Sequence, residues 1–309
     1  MSLQDFEPIE LDDGRLVCAP HGLVVCGRCC VDYSFMDEIL DEADSDYGFM
    51  DEILDEASSD IFDEDYHGEV DNRASEAPPN NIFDDMLNPL ERGTGNVFPS
   101  VFVPPSSARP DTLFPVGISH DATPKVTRFI HRNDPKTMLI YTDGCCLNNG
   151  QADPKAGWAF VFRPQTSFAN ACVSGRLENK GPFGDDHSQT SNRAELRAVI
   201  GALGFRYWKG EGFSTLVFAT DSEYVVEGAT KWVRSWLRKG WKTSKGAEVK
   251  NKDLWEALLG EVERFDTEGL KIQFWKIPRE WNVEADRRAK EAAQDRDREN
   301  FGQILGVLC

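Results

Sequence analysis

The sequence predicts an α/β domain of about 160 residues, one mixed sheet covered by helices, behind a long acidic arm. Three observations predict it. From Met138 onward, short apolar runs of strand length alternate with stretches of helical periodicity. Two of those runs end in an aspartate. The charge also changes abruptly along the chain: residues 1–134 carry 29 Asp and Glu against 8 Lys and Arg, and residues 135–309 carry 24 against 26. The formal charge of -19 therefore belongs to the arm. It does not exclude a nucleic-acid partner, because local patches govern steering and contact.

The elements follow in order. MLIYT (138–142), Trp158–Phe162 and Cys172–Leu177 read as strands, and Thr190–Trp208 as a helix with a polar start. Leu216–Thr220 is a fourth strand. Tyr224–Lys239 and Asp253–Phe265 are helical by periodicity, Ile272–Ile277 is a fifth strand, and Glu284–Gln294 is the last helix. These assignments place an α/β domain with a five-stranded mixed sheet at 134–295, with a tail at 296–309.

Residues 1–32 contain Cys18-x2-His21 and Cys26-x2-Cys29, two tight pairs of soft ligands of the kind a tetrahedral zinc site uses. Cys30 is a substitute for Cys29, and the plain alternative is a small apolar segment with spare thiols. Residues 33–133 read as a disordered linker. Within Val31–Arg92 there are 21 acids and 2 bases, with FMDEILDEA at 35–43 repeated at 49–57. Too charged to bury a core, this stretch suits either a partner-binding motif or a solvated tether. The Pro- and Ser-rich stretch 93–134 suits an extended connection. With no run of about 18 apolar residues and no secretory signal, an intracellular protein of the nucleus or cytoplasm is expected, with thiols rather than disulfides and a monomeric state.

Asp143 and Asp221 follow strands, Glu195 lies one turn into the SNRAEL helix, and Asp286 lies in the first turn of the last helix. Strand ends meet at one sheet edge, so these acids can converge. Four converging carboxylates repel unless cations neutralise them, and hard divalent ions with oxygen ligands are the natural partners, two Mg2+ with Mn2+ as substitute.

YTDGCCLNNG, TSNRAEL, ATDSEYV and EADRRAK, in this order, resemble the motifs of the type 1 ribonuclease H family over about residues 136–294. The resemblance implies a ribonuclease H-like fold and two-metal endonucleolytic hydrolysis of the RNA strand of RNA–DNA hybrids, giving 5′-phosphate and 3′-hydroxyl ends. It puts Asp143, Glu195, Asp221 and Asp286 at the metal, and Asn149, Thr190, Ser191 and Asn192 along the minor groove and a DNA phosphate. Small polar side chains suit that task, since the 2′-hydroxyl is what separates RNA from DNA; Thr190 and Ser191 also suit a helix cap. The alternative function is a hybrid-binding scaffold with little catalysis.

Residues 231–252 hold 8 bases and 1 acid. Trp232, Trp236 and Trp241 alternate there with Lys231, Arg234, Lys239 and Lys242, resembling the family's basic protrusion that grips the DNA strand. The expectation is that these side chains bind substrate, while Trp255 belongs to the core. One departure stands out. Many family members carry a Gly-His-Ser/Ala-Gly loop before the fourth acid; this chain reads IPREWNVEAD, resembling a second branch with a P-R-E loop. Arg279 is expected to hold a phosphate or assist release in place of the histidine, since it cannot act as a base. Glu280 is a weaker candidate, and His187 is expected to be a loop residue.

Overall fold

The structure, a computed structural model, describes residues 9–11, 15–26, 31–34, 90–119, 121–165 and 171–306. The FMDEILDEA repeat, Cys29 and Cys30 lie outside the described residues. Four two-residue strands come first, β1 (Ile9–Glu10), β2 (Leu16–Val17), β3 (Val25–Cys26) and β4 (Val31–Asp32), forming two small antiparallel ribbons, β1–β2 and β3–β4. Then come β5 (Ser100–Val101), α1 (Pro110–Leu113), β6 (Val116–Ile118), β7 (Thr127–His131), β8 (Asp134–Leu147), β9 (Lys155–Val161), β10 (Cys172–Arg176) and α2 (Ser191–Phe205). The chain continues with β11 (Thr215–Thr220), α3 (Glu223–Glu227), a π-helical turn at Gly228–Trp232, α4 (Val233–Arg238), α5 (Lys252–Thr267), β12 (Lys271–Lys276) and α6 (Val283–Ala292).

The sheet has eight strands in the order β10-β9-β8-β11-β12-β5, with β7 also on β8 and β6 on β7. The five expected strands are all present. The mixed character follows from their pairing: β11 runs parallel to β8 and β12, whereas β9 and β10 are antiparallel. One face carries the main core, with Trp158, Phe160, Leu196, Leu203, Phe218 and Trp255 fully enclosed.

Two expectations about the connections are overturned. The stretch 93–134 is not a linker: it supplies β5, β6, β7 and α1, and it covers the second face of the sheet. Leu113 and Phe114 pack there on Leu139, Val217, Ala219, Trp275 and Ile277. The Phe114 ring stands 6.2 Å from Trp275 and 5.1 Å from His131. Proline and serine disguised this stretch, but its Phe and Leu residues serve a sheet face that would otherwise meet water. Just upstream, the backbone N–H groups of Gly95 and Asn96 donate to the Glu263 carboxylate of α5 at 2.6 and 2.9 Å. The tail is also part of the domain, since Phe301 and Ile304 pack on the main core and Arg197 donates to the Gly302 carbonyl.

Three buried ion pairs lock the helices and strands, Arg193–Asp253, Arg197–Glu178 and Arg128–Glu211, at 2.6, 2.8 and 2.8 Å. His187 lies 3.1 Å from Asp253, beside the first of these pairs, as a loop residue. Cys145 and Cys146 are buried as thiols, with no disulfide between them.

A fragment of residues 134–295 lacks the cover of the second sheet face. In urea unfolding, a 90–306 fragment is expected to exceed it in stability by roughly 3–5 kcal/mol, the order expected for burying two or so large apolar side chains. Equal midpoints would show that the cover is dispensable.

Candidate active site

The strand register brings two acids level. Tyr141 pairs with Ala219 across the parallel β8–β11 ladder, and two residues further on stand Asp143, within β8, and Asp221, just past the end of β11. The sequence placed Asp143 just beyond a strand; β8 instead runs on to Leu147, with Asp143 opposite Ala159 of β9. Continued pairing with β9 keeps its backbone hydrogen-bonded, and burial of the carboxyl follows.

The other two acids arrive on helices that come unusually close to the sheet. A Cβ on Gly144 would fall on the backbone nitrogen of Glu195, so only glycine lets α2 lie against β8 at this point. Gly157 does the same for α6, where a Cβ would collide with the backbone at Ala289 and Ala293. Thr190 caps α2, its hydroxyl accepting from the Arg193 N–H at 3.2 Å. That cap fixes where Glu195 falls, one turn in.

The four side chains interact electrostatically as one set. Burial and the nearby Asp221 and Asp286 carboxylates push Asp143 well above the usual carboxylate range. Burial, then Asp143 and Asp221, push Glu195 well above it too. Glu195 and Asp143 share a hydrogen bond between their carboxyls, and Glu195 Oε2 is buried without a partner. Burial raises Asp221 as well, while Arg279 opposes the shift. Asp286 is the exception: burial would raise it, but Arg279 and Lys290 hold it below the ordinary value.

Arg279 is the cation of this cluster. Its guanidinium donates to Asp286 Oδ1 at 2.7 Å and lies 4.0 Å from Asp221 Oδ2. Lys290, one turn beyond Asp286, donates to Asp286 Oδ2 at 2.7 Å. A positive group already stands where four carboxylates need one. An oxygen-only donor set is chemically suited to hard divalent ions.

Sequence reasoning missed two residues here. Asn282 is almost fully enclosed, and its amide donates both to Asp221 Oδ1 at 2.7 Å and to the Thr142 carbonyl at 2.9 Å. It ties the two acid-bearing strands together just before α6, a long-range role that no local pattern signals. Lys290 was detectable from its four-residue spacing to Asp286.

The basic protrusion requires a correction. Trp232, Trp236 and Trp241 are buried rather than offered to a ligand. Trp236 packs 5.9 Å from Trp232 and 5.6 Å from Trp255, and Tyr224 stands 6.3 Å from Trp232. The tryptophans mount the protrusion on α5, because large rings gain more from enclosure than from solvent. Lys239 and Lys242 are exposed, and Lys231 is exposed but paired with Glu227 at 2.6 Å. Ser191 and Asn149 are buried and Asn192 is half-buried, all near the acid-bearing elements.

In the N-terminal segment, Cys18, His21 and Cys26 place their ligand atoms within 4.8 Å of one another. Among the described residues this is the one group of potential ligands that closes so far, and the four carboxylates do not come as close together. Both thiols are buried and the imidazole is exposed. The turn is set by Gly22, whose N–H donates to the Cys18 carbonyl at 2.7 Å with φ +63°.

Asp143, Glu195 and Asp221 have raised folded-state values. The stability they contribute is therefore full below the unfolded carboxylate range, roughly pH 4, and is lost as pH rises through the folded values. In metal-free buffer at about pH 8, Asp143→Asn is expected to raise the thermal midpoint by a few degrees, with the gain fading toward acid. Arg279→Ala is expected to do the opposite, lowering the metal-free midpoint and enlarging the rise on adding Mg2+. Scanning calorimetry with and without chelator checks both, and a destabilised Asp143→Asn would refute the repulsion argument.

Comparison with known proteins places this geometry in a family. Residues 135–294 match the RNase H family model. Ribonuclease H1 of Homo sapiens is 36% identical over 180 residues, covering 57% of this chain and 57% of that protein. Ribonuclease H of Treponema pallidum subsp. pallidum is 37% identical over 140 residues, covering 44% of this chain and 79% of that one. Among solved structures, LC9-RNase H1, described as a type 1 RNase H with the type 2 active-site motif, is 29% identical with a TM-score of 0.36, over 51% of this chain and 72% of that chain. The chain spans little more than half the length of the mammalian relatives it matches. With half of its residues under one family model, and the four acids on the elements just described, the chain belongs to the RNase H family.

Proposed function

We propose that the protein hydrolyses the RNA strand of RNA–DNA hybrids endonucleolytically, leaving 5′-phosphate and 3′-hydroxyl ends. The observation that carries the reading is the set of buried Asp143 and Glu195 with half-buried Asp221 and Asp286, partly neutralised by Arg279 and Lys290. So many carboxylates in one low-dielectric site are costly unless a cation is to be bound there.

Asp143, Glu195, Asp221 and Asp286 would hold two Mg2+, or Mn2+ in their place, and the ions would supply an acidified water and charge neutralisation at the phosphate. The chain's own residues do the rest. Asn282 holds the Asp221 carboxylate against the strand that carries Asp143. Glu195, at the helix start beside the groove, is placed to orient water near the 2′-hydroxyl. Arg279, beside Asp286 and Asp221, would hold the scissile phosphate or the departing product, the task that the resemblance gives to a histidine loop in many family members. Asn149, Thr190, Ser191 and Asn192 offer short polar groups to the minor groove and a phosphate, and Lys231, Lys239 and Lys242 contact the DNA strand by charge.

A second metal is assigned to the N-terminal segment. Two buried thiols and an imidazole form a soft donor set that fits zinc, with Cys29, outside the described residues, as the fourth ligand. Metal analysis of the whole protein is expected to find zinc that Cys26→Ser loses; equal zinc in both would overturn the assignment. The acidic repeat is read as a protein-binding motif, and the nucleus or cytoplasm as the site of action.

Asp143→Asn is expected to abolish Mg2+-dependent cleavage of a labelled hybrid while still binding it, and retained cleavage would overturn the reading. A variant that binds hybrid beside a wild type that never cleaves would favour the scaffold alternative. The rate is expected to rise with pH from the acid side, because Asp143 and Glu195 release protons above the ordinary carboxylate range, and added Mg2+ should move that rise to lower pH.

A further inference from the structure

The N-terminal β3–β4 ribbon lies on the α/β domain. Val25 of β3 meets the turn that follows β8: a Cβ on Gly150 would stand 3.0 Å from Val25 Cγ1. Tyr33, just past β4, packs against the main core, and its N–H donates to the Val24 carbonyl at 2.8 Å. The ribbon is thus held at two points, the Asn148–Gly150 turn and the body of the domain.

That turn carries Asn149. Asn148 and Gly150 both have left-handed backbone, with φ +56° and +70°, which makes the turn tight. Asn149 is only 2% exposed, and its side-chain nitrogen is buried without a hydrogen-bond partner. An enclosed, unsatisfied amide is costly, and the cost is relieved when an acceptor such as a 2′-hydroxyl or base edge reaches it. No hybrid can reach Asn149 while it is enclosed. Nor does the ribbon offer a replacement grip, since residues 9–34 carry Glu10, Asp12, Asp13 and Asp32 against Arg15 and Arg28.

We propose that the N-terminal ribbon docks on the Asn148–Gly150 turn in competition with the hybrid, so that it must lift before Asn149 can read the minor groove. The proposal rests on Asn149 as a substrate contact, as argued under the proposed function. Docking is carried by Val25 and Tyr33.

The test uses the full chain and a fluorescent RNA–DNA hybrid, with affinity read by anisotropy in chelator-free Ca2+ buffer. Val25→Asp should release the ribbon from Gly150, and Tyr33→Ser should release it from the core. Each is expected to tighten hybrid binding roughly fivefold, the ratio expected for one buried amide regaining a partner. Val25→Asp adds an acid, which alone would weaken binding to a polyanion, so tightening isolates undocking from charge. Retained zinc content and a single cooperative thermal transition in Tyr33→Ser show that tightening does not come from unfolding of the domain. Unchanged or weaker binding in both variants would overturn the competition. Asn149→Ala placed on Val25→Asp is expected to cancel the gain; a full gain without Asn149 would overturn its role as reader and leave the cleavage assignment to the Asp143 test.

Discussion

Repulsion among four carboxylates is the constraint that organises this molecule. Burial and mutual repulsion hold the protons of Asp143 and Glu195 far more tightly than in water, and burial raises Asp221 as well. Arg279 and Lys290 offset part of the repulsion through Asp286, the one member kept acidic. A guanidinium already stands among these acids, donating to Asp286 and 4.0 Å from Asp221. Such a group cannot act as a base, yet it can exchange carboxylates for a phosphate of the same charge sign.

Holding that arrangement falls to parts of the chain remote from the chemistry. The parallel β8–β11 register sets two acids level, and glycines at 144 and 157 let two helices approach closer than any side chain would permit. Asn282 bridges Thr142 and Asp221 and so fixes the relative height of two strands. Beneath these, the Arg193–Asp253 and Arg197–Glu178 pairs tie α2 to α5 and to the loop after β10. Each is buried and bidentate, a geometry that specifies one arrangement of helices more than it adds net stability.

The tryptophans of the protrusion show how periodicity can be read correctly and interpreted wrongly. Trp232 and Trp236 share a helical face, as their spacing indicates. The face they share points inward, onto Trp255 and Tyr224. The cations stay outside and the rings stay in. An alternation of aromatic and basic residues describes an amphipathic helix as well as a nucleic-acid grip, and only packing separates the two. The stretch before Asp134 teaches the converse. Its prolines resemble a tether, yet Leu113 and Phe114 close a sheet face.

Local pattern alone determined the strands β8 to β12, the four long helical regions, the four acids and the grouping of Cys18, His21 and Cys26. Each is set by alternation, by a cap such as Thr190, or by short spacing, and these act within a few residues. Tertiary structure decided the three added strands, the burial of the tryptophans, the seat of Arg279 among the carboxylates, Asn282 and the position of the ribbon on Gly150. All of these depend on contacts between residues far apart in the chain. Such contacts are determined by which surfaces the fold leaves uncovered, and a one-dimensional pattern carries no record of that.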